Sequence, residues 1–222
     1  MDLNRFPCKT DSRRFRISKC EKGESYNRSS YIFCMETLID ALPFTVDQSF
    51  EKKRKMHINA LQSLLAVNKI DEPVQPLMKK CARLPHCFTL QCCYGHFLHE
   101  FQRDEENFEP VSAYREINTP IEFRISYIAW CIEASDLGRK LYDDLQAIIS
   151  LDPAYIQFGS AQWFWNRCVN SYVLQVEPER DKEKDKTYID YKEAVHIEQI
   201  RNTFFDAIED IIDDHIMISS RT

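Results

Sequence analysis

The reactive side chains of this 222-residue chain are unevenly placed. Between Cys81 and His99, a span of 19 residues, lie four of its nine cysteines (Cys81, Cys87, Cys92, Cys93) and three of its six histidines (His86, His96, His99). Thiolate and imidazole donors together suit zinc. The spacing does not, because there is no C-x-x-C and the single C-x-x-H is Cys93 with His96. Cys92 and Cys93 would point to opposite faces of a strand and could not share one ion. No metal site is therefore expected. An imidazole opposite a thiol can lower the thiol pKa, giving a nucleophile or a proton relay. Cys93 and His96 are thus the candidate catalytic pair, with Thr89, Gln91, Gly95 and Glu100 as candidate binding or orienting residues. The competing reading is a polar sheet face packed under the N-terminal helices, since no third catalytic member is evident.

Other segments carry weaker signals. Gln157 to Trp165 (QFGSAQWFW), read as extended, would project Trp163 and Trp165 from one face. There they would stack bases or, as is commoner in a meander, fill a core. Asn166 and Asn170 read as turn residues. The pairs Asp143-Asp144 and Asp213-Asp214 read as solvated helix faces. Four glycines (Gly23, Gly95, Gly138, Gly159) lie too far apart to form a G-x-G-x-x-G turn or a P-loop. No Ser-His-Asp signature is present.

The elements that must position these groups follow from hydrophobic periodicity. Tyr31 to Leu42 reads as a short helix stopped by Pro43. Phe50 to about Asn68 reads as a longer one, with Phe50, Ile58, Leu61 and Leu65 on one stripe. Asp71-Glu72-Pro73 opens a third, with Leu77, Cys81 and Leu84 inward and Pro85 ending it. Cys87 to Cys93 alternates as a strand. Tyr94-Gly95 would turn it into a second strand, His96 to Phe101, setting Cys93 opposite His96, Cys92 opposite Phe97 and Phe88 opposite Phe101. That register collects Phe88, Leu90, Cys92, Phe97 and Phe101 on one face. It leaves Thr89, Gln91, Cys93, His96 and Glu100 on the other.

Residues 121–132 alternate like a strand, although Thr119-Pro120-Ile121-Glu122 resembles a capping box; the strand reading is preferred. Ser135 caps a helix striped by Leu137, Leu141, Leu145 and Ile148. Tyr155 to Phe158, Ala161 to Cys168 and Ser171 to Glu177 read as a meander, and 179–186 as an exposed charged loop. From Thr187 the chain reads as one long helix, with Ile197, Ile200, Phe204, Ile208, Ile211 and His215 inward. The expected fold is α+β: N-terminal helices, an antiparallel or mixed sheet, and a long C-terminal helix.

Composition bounds the function classes. At 44% hydrophobic and 12% aromatic the chain can bury a core, and a net charge of −6 argues against a whole-surface nucleic-acid binder. Residues 1–30 hold eight basic and four acidic residues, a basic and flexible arm ahead of a single acidic domain at 31–222. No apolar run follows Met1 and none approaches 18 residues, so neither a secretory signal nor a membrane span is expected. The expected location is cytoplasmic, with the cysteines as thiols and Asn27-Arg28-Ser29 a chance sequon.

The stretch from Phe50 to His96 also resembles a known family. A lysine-rich helix (FEKKRKMHINALQSLLA), a Lys69-Ile70-Asp71-Glu72 break, Pro76-Leu77 and then FTLQCCYGH follow one another as in the N-terminal part of the tRNA wybutosine-synthesising TYW3 family. That family's strand-turn motif reads F-T-T-S-S-C-S-G-R. Phe88, Thr89, Cys93 and Gly95 match it, while Gln91, Cys92, Tyr94 and His96 stand in place of its serines and arginine. The resemblance covers about a fifth of the chain. It implies an S-adenosylmethionine-dependent enzyme acting on tRNA, or a diverged relative that binds a small ligand, with its pocket at Thr89, Gln91, Cys93, Gly95 and His96. The alternative is a non-catalytic assembly protein, a homo-oligomer through the C-terminal helix.

Overall fold

The computed structural model describes residues 38–114, 117–181 and 187–220. The basic arm and the start of the expected Tyr31 to Leu42 helix lie outside them, as do 182–186 of the charged loop. The described part is α+β. Five α-helices, α1 (Phe50–Ala66), α2 (Gln75–Cys81), α3 (Asp136–Ala147), α4 (Gln162–Trp165) and α5 (Tyr191–Ser219), accompany two antiparallel sheets. One sheet is ordered β1 (Cys87–Cys93), β4 (Ser126–Ile132), β6 (Ser171–Val176), β5 (Ile156–Gly159). The other is β2 (His96–Leu98), β3 (Ile121–Arg124), β7 (Thr187–Ile189).

The expected tight hairpin does not form. β1 pairs with β4 and β2 with β3, and the register is continuous through both: Cys93 faces Tyr127 and, three residues on in each strand, His96 faces Arg124. Residues 87–98 therefore run on as one extended stretch beside 121–132, and Gly95 is a kink in it rather than a hairpin turn. The physical reason lies at the kink. Gly95 has φ +91°, and a Cβ there would sit 2.0 Å from Ser126 Oγ, so only glycine lets the two strands bend past each other. The preferred strand at 121–132 is accordingly present, broken at Ile125 where the chain changes sheets.

The expected alternation along β1 fails too. A bulge between Thr89 and Gln91 pairs Thr89 with Trp130 and Gln91 with Ala129, leaving Leu90 extra. Cys92 thus joins the core containing Trp130, Ile128, Tyr172 and Leu174, which α2, α3 and α5 cover. Phe88 and Leu90 join a smaller core on the opposite sheet face, with Ala129, Cys131, Val173 and Phe50 of α1. Phe101, expected inside, is 61% exposed, because β2 ends at Leu98 and His99 closes a bridge with Gln102.

Side-chain caps start two of the helices. Ser135 caps α3 by accepting from the Gly138 N–H at 3.2 Å, and Asp190 caps α5 by accepting from the Glu193 N–H at 2.9 Å. α5 begins four residues later than expected, because Thr187–Ile189 is drawn into the sheet against β3. It buries Ile197, Ile200, Phe204, Ile208, Ile212 and His215, each apolar side chain contributing about 1.5–3 kcal/mol.

Ala161 to Cys168 is not a strand. Gln162–Trp165 makes one helical turn, and Arg167 lies 3.7 Å over the Trp163 ring. Leu38 to Leu42 is not helical, since Ile39 pairs with Ser160 (N···O 2.9 and 3.0 Å) and extends the edge beyond β5. Among the described residues, no helix is long and apolar enough to cross a membrane.

Candidate functional site

The kink at Gly95 builds the site. It folds the chain so that Cys93 and His96, which a hairpin would set on opposing strands, meet as neighbours on one. Asp71 completes the group from the break between α1 and α2. Ile70, 2% exposed, anchors that break in the core, and Gln75 Nε2 donates to the Ile70 carbonyl at 2.9 Å. The Asp71 carbonyl accepts the Val74 N–H at 3.1 Å, which starts a turn of 3-10 helix at Glu72–Val74.

With its backbone fixed in this way, the Asp71 carboxylate is 1% exposed. Its Oδ2 accepts the Tyr94 N–H at 2.8 Å and lies 3.4 Å from His96 Nε2. The ligand atoms of Asp71, Cys93 and His96 all lie within 4.8 Å of one another.

Electrostatics follow from this closeness. Burial disfavours a charged imidazole, but the Cys93 sulfur and the Asp71 carboxylate outweigh it, and His96 is pushed up to about 11. A relay triad needs one ring nitrogen toward the nucleophile and the other toward the carboxylate. His96 turns Nε2 to Asp71, while its Nδ1 is buried without a hydrogen-bond partner. The three groups therefore converge on a common point rather than forming a line.

α5 closes the site from behind. Arg201, 4% exposed, lies with its guanidinium 4.1 Å over the Tyr94 ring, and its Nη1 donates to the Gly95 carbonyl at 3.4 Å. Its Nη2 reaches Glu198 Oε1 at 3.5 Å, and that same oxygen accepts the Val111 N–H at 3.0 Å. Burial lowers the Arg201 pKa, with Tyr94 and Glu198 opposing the shift. Phe205 stacks on Tyr94 at 5.1 Å, and Phe108 packs on His96 at 5.5 Å.

Of the residues expected at the site, Cys93, Gly95 and His96 are together. Thr89 and Gln91 instead line a cleft between α1 and β1 with His57, Leu61 and Leu64, because the bulge at Leu90 breaks their common face. Glu100 is exposed and accepts from the Asn118 N–H at 3.4 Å. Asp71, Glu198 and Arg201 were not singled out by sequence. Arg201 left a signal, since it stands four residues from both Ile197 and Phe205 on the buried stripe of a helix, where a charge needs a partner.

Cys81, Cys87, Cys92, Cys93, Cys131 and Cys168 are thiols, not disulfide halves. A second thiol pair lies in the smaller core, where Cys168 is hydrogen-bonded to Cys131 and to His57; these contacts hold the Cys168 thiol below its ordinary value and push Cys131 up.

No protein-family model matches the chain, and no curated protein does. The chain is similar to two solved structures of the PH1069 protein from Pyrococcus horikoshii. One is 12% identical with a TM-score of 0.41, covering 77% of this chain and 95% of that one. The other is 11% identical with a TM-score of 0.42, covering 79% of this chain and 96% of that one.

Proposed function

We propose that this protein is a diverged relative of the wybutosine-synthesising family, acting in the cytoplasm, that binds a small molecule at the Asp71–Cys93–His96 site. S-adenosylmethionine is the ligand and tRNA methylation the activity that the resemblance implies. The observation that carries the reading is the hydrogen bond from Tyr94 N–H to Asp71 Oδ2. It joins the two stretches on which the resemblance rests, the Asp71-Glu72 break and the Cys93-to-Gly95 kink, into one site. The buried carboxylate, the imidazole and the guanidinium supply polar recognition, and Tyr94, Phe108 and Phe205 supply apolar walls.

Thermal unfolding with S-adenosylmethionine tests this. A rise in Tm at millimolar ligand that Asp71→Asn removes is the expected result. An unchanged Tm at that concentration overturns it. The assembly-protein alternative has less to draw on, because the apolar stripe of α5 is already packed inside the fold and Met217 is its exposed large apolar residue.

A further inference from the structure

We infer that Asp71, Cys93 and His96 form a binding site for a divalent transition-metal ion of the zinc class, with the remaining coordination position left to water or a substrate. The inference does not depend on S-adenosylmethionine binding. Among the described residues these three make up the group of His, Cys, Asp and Glu able to hold an ion. One carboxylate, one thiolate and one imidazole is a borderline-soft donor set, which favours zinc or cobalt over calcium or magnesium. Three protein donors with a fourth position left over is the pattern of catalytic rather than structural zinc.

The distances agree with this. Two ligands each about 2.1 Å from a tetrahedral zinc stand about 3.4 Å apart. Asp71 Oδ2 and His96 Nε2 stand 3.4 Å apart. All three donor atoms fall within 4.8 Å of one another, against the roughly 3.6 Å between a sulfur and an oxygen or nitrogen ligand on tetrahedral zinc, so the sulfur closes by about 1 Å or less to bind. The carboxylate is already oriented from outside the site, since the Tyr94 N–H holds Oδ2 at 2.8 Å, as supporting hydrogen bonds do for metal ligands.

The spacing of Cys93 and His96 could not reveal this site, because the third ligand comes from 22 positions before Cys93, in a separate loop.

The test is a titration of the chelator-treated full chain with cobalt(II) alone. The expected result is one equivalent bound, with near-ultraviolet thiolate-to-cobalt absorption that zinc abolishes on displacement. Cys93→Ser should remove that absorption. His96→Gln and Asp71→Asn should weaken binding about tenfold or more. Cys168→Ser, in the other thiol pair, should leave the absorption unchanged. If Cys93→Ser does not fold, zinc-dependent stabilisation of the unmutated protein decides instead, because an ion held by the native state raises Tm as its concentration rises.

Absence of thiolate-to-cobalt absorption in the unmutated protein overturns the site, as does absorption that survives in Cys93→Ser, or a Tm indifferent to zinc. Neither titration contains S-adenosylmethionine. A failure of ligand binding and a failure of metal binding are therefore read separately.

Discussion

The Tyr94 N–H donates to Asp71 Oδ2 at 2.8 Å across 23 positions of sequence, tying the loop between α1 and α2 to the kink between β1 and β2. One bond thus decides where a buried carboxylate stands relative to Cys93 and His96. Removing its charge while keeping its shape is the sharpest perturbation. Asp71→Asn should lower stability by about 1–3 kcal/mol, because a charge-assisted bond becomes a neutral one beside a buried imidazolium. Chemical denaturation of the two proteins measures it, and equal midpoints would contradict the assigned role.

Gly95 is the second point of control. At φ +91°, with Ser126 Oγ 2.0 Å from the position of a Cβ, Gly95→Ala should cost about 1–3 kcal/mol. Ser126→Gly should recover part of the loss in the double variant by removing the clash, while the backbone part remains. Ser126→Ala alone should be nearly neutral, since that hydroxyl is buried without a partner. A double-mutant cycle by denaturation separates these terms.

Stability should fall in mild acid through a network far from the site. His86 Nε2 meets His215 Nδ1 at 3.2 Å, and His215 Nε2 meets Asp144 Oδ2 at 2.8 Å, linking the start of β1, α5 and α3. Burial, then His215 and Arg54, hold His86 down to about 4 from its ordinary value of 6.5. Between those values the unfolded chain binds a proton that the folded chain refuses, so stability rises with pH there and is lost as pH falls from 6.5 toward 4. The loss is on the order of 2–3 kcal/mol. Denaturation midpoints across that range for the unmutated protein and His86→Gln should show the slope in the first and a weaker one in the second.

Arg201 should resist conservative replacement. Arg201→Lys loses the planar stack on Tyr94 and the forked reach to Glu198 and the Gly95 carbonyl, so it should destabilise nearly as much as Arg201→Met. Arg201→Met leaves the buried Glu198 carboxylate with no cation beside it, a cost of about 3 kcal/mol. Full stability in the lysine variant would show that charge alone is what α5 contributes here.

Much of the fold was legible because periodicity is a local property. The stripes Leu141–Leu145 and Ile197–Ile208, the alternation at 121–132 and the cap Ser135 each report on a few neighbouring residues. The errors arose where the deciding partner was remote. Gly95 reads as a hairpin turn until Ser126 is beside it. The alternation of β1 reads as regular until Trp130 and Ala129 reveal the bulge at Leu90. Trp163 and Trp165 are the exception: the bonds that close their helical turn, Trp165 N–H to the Ala161 carbonyl and Asn166 N–H to the Gln162 carbonyl, are local, and the extended reading missed them.

By itself, the sequence determined the α+β class, and it singled out Cys93 and His96 as a candidate pair with a lone glycine between them. Composition and short-range pattern suffice for these. Only the tertiary structure decided that the pair stands on one kinked strand, that Asp71 completes it, and that Arg201 and Glu198 close it from behind. A buried charge must find its partner in space, and no spacing along the chain records where α5 and the Asp71 loop pack against that strand.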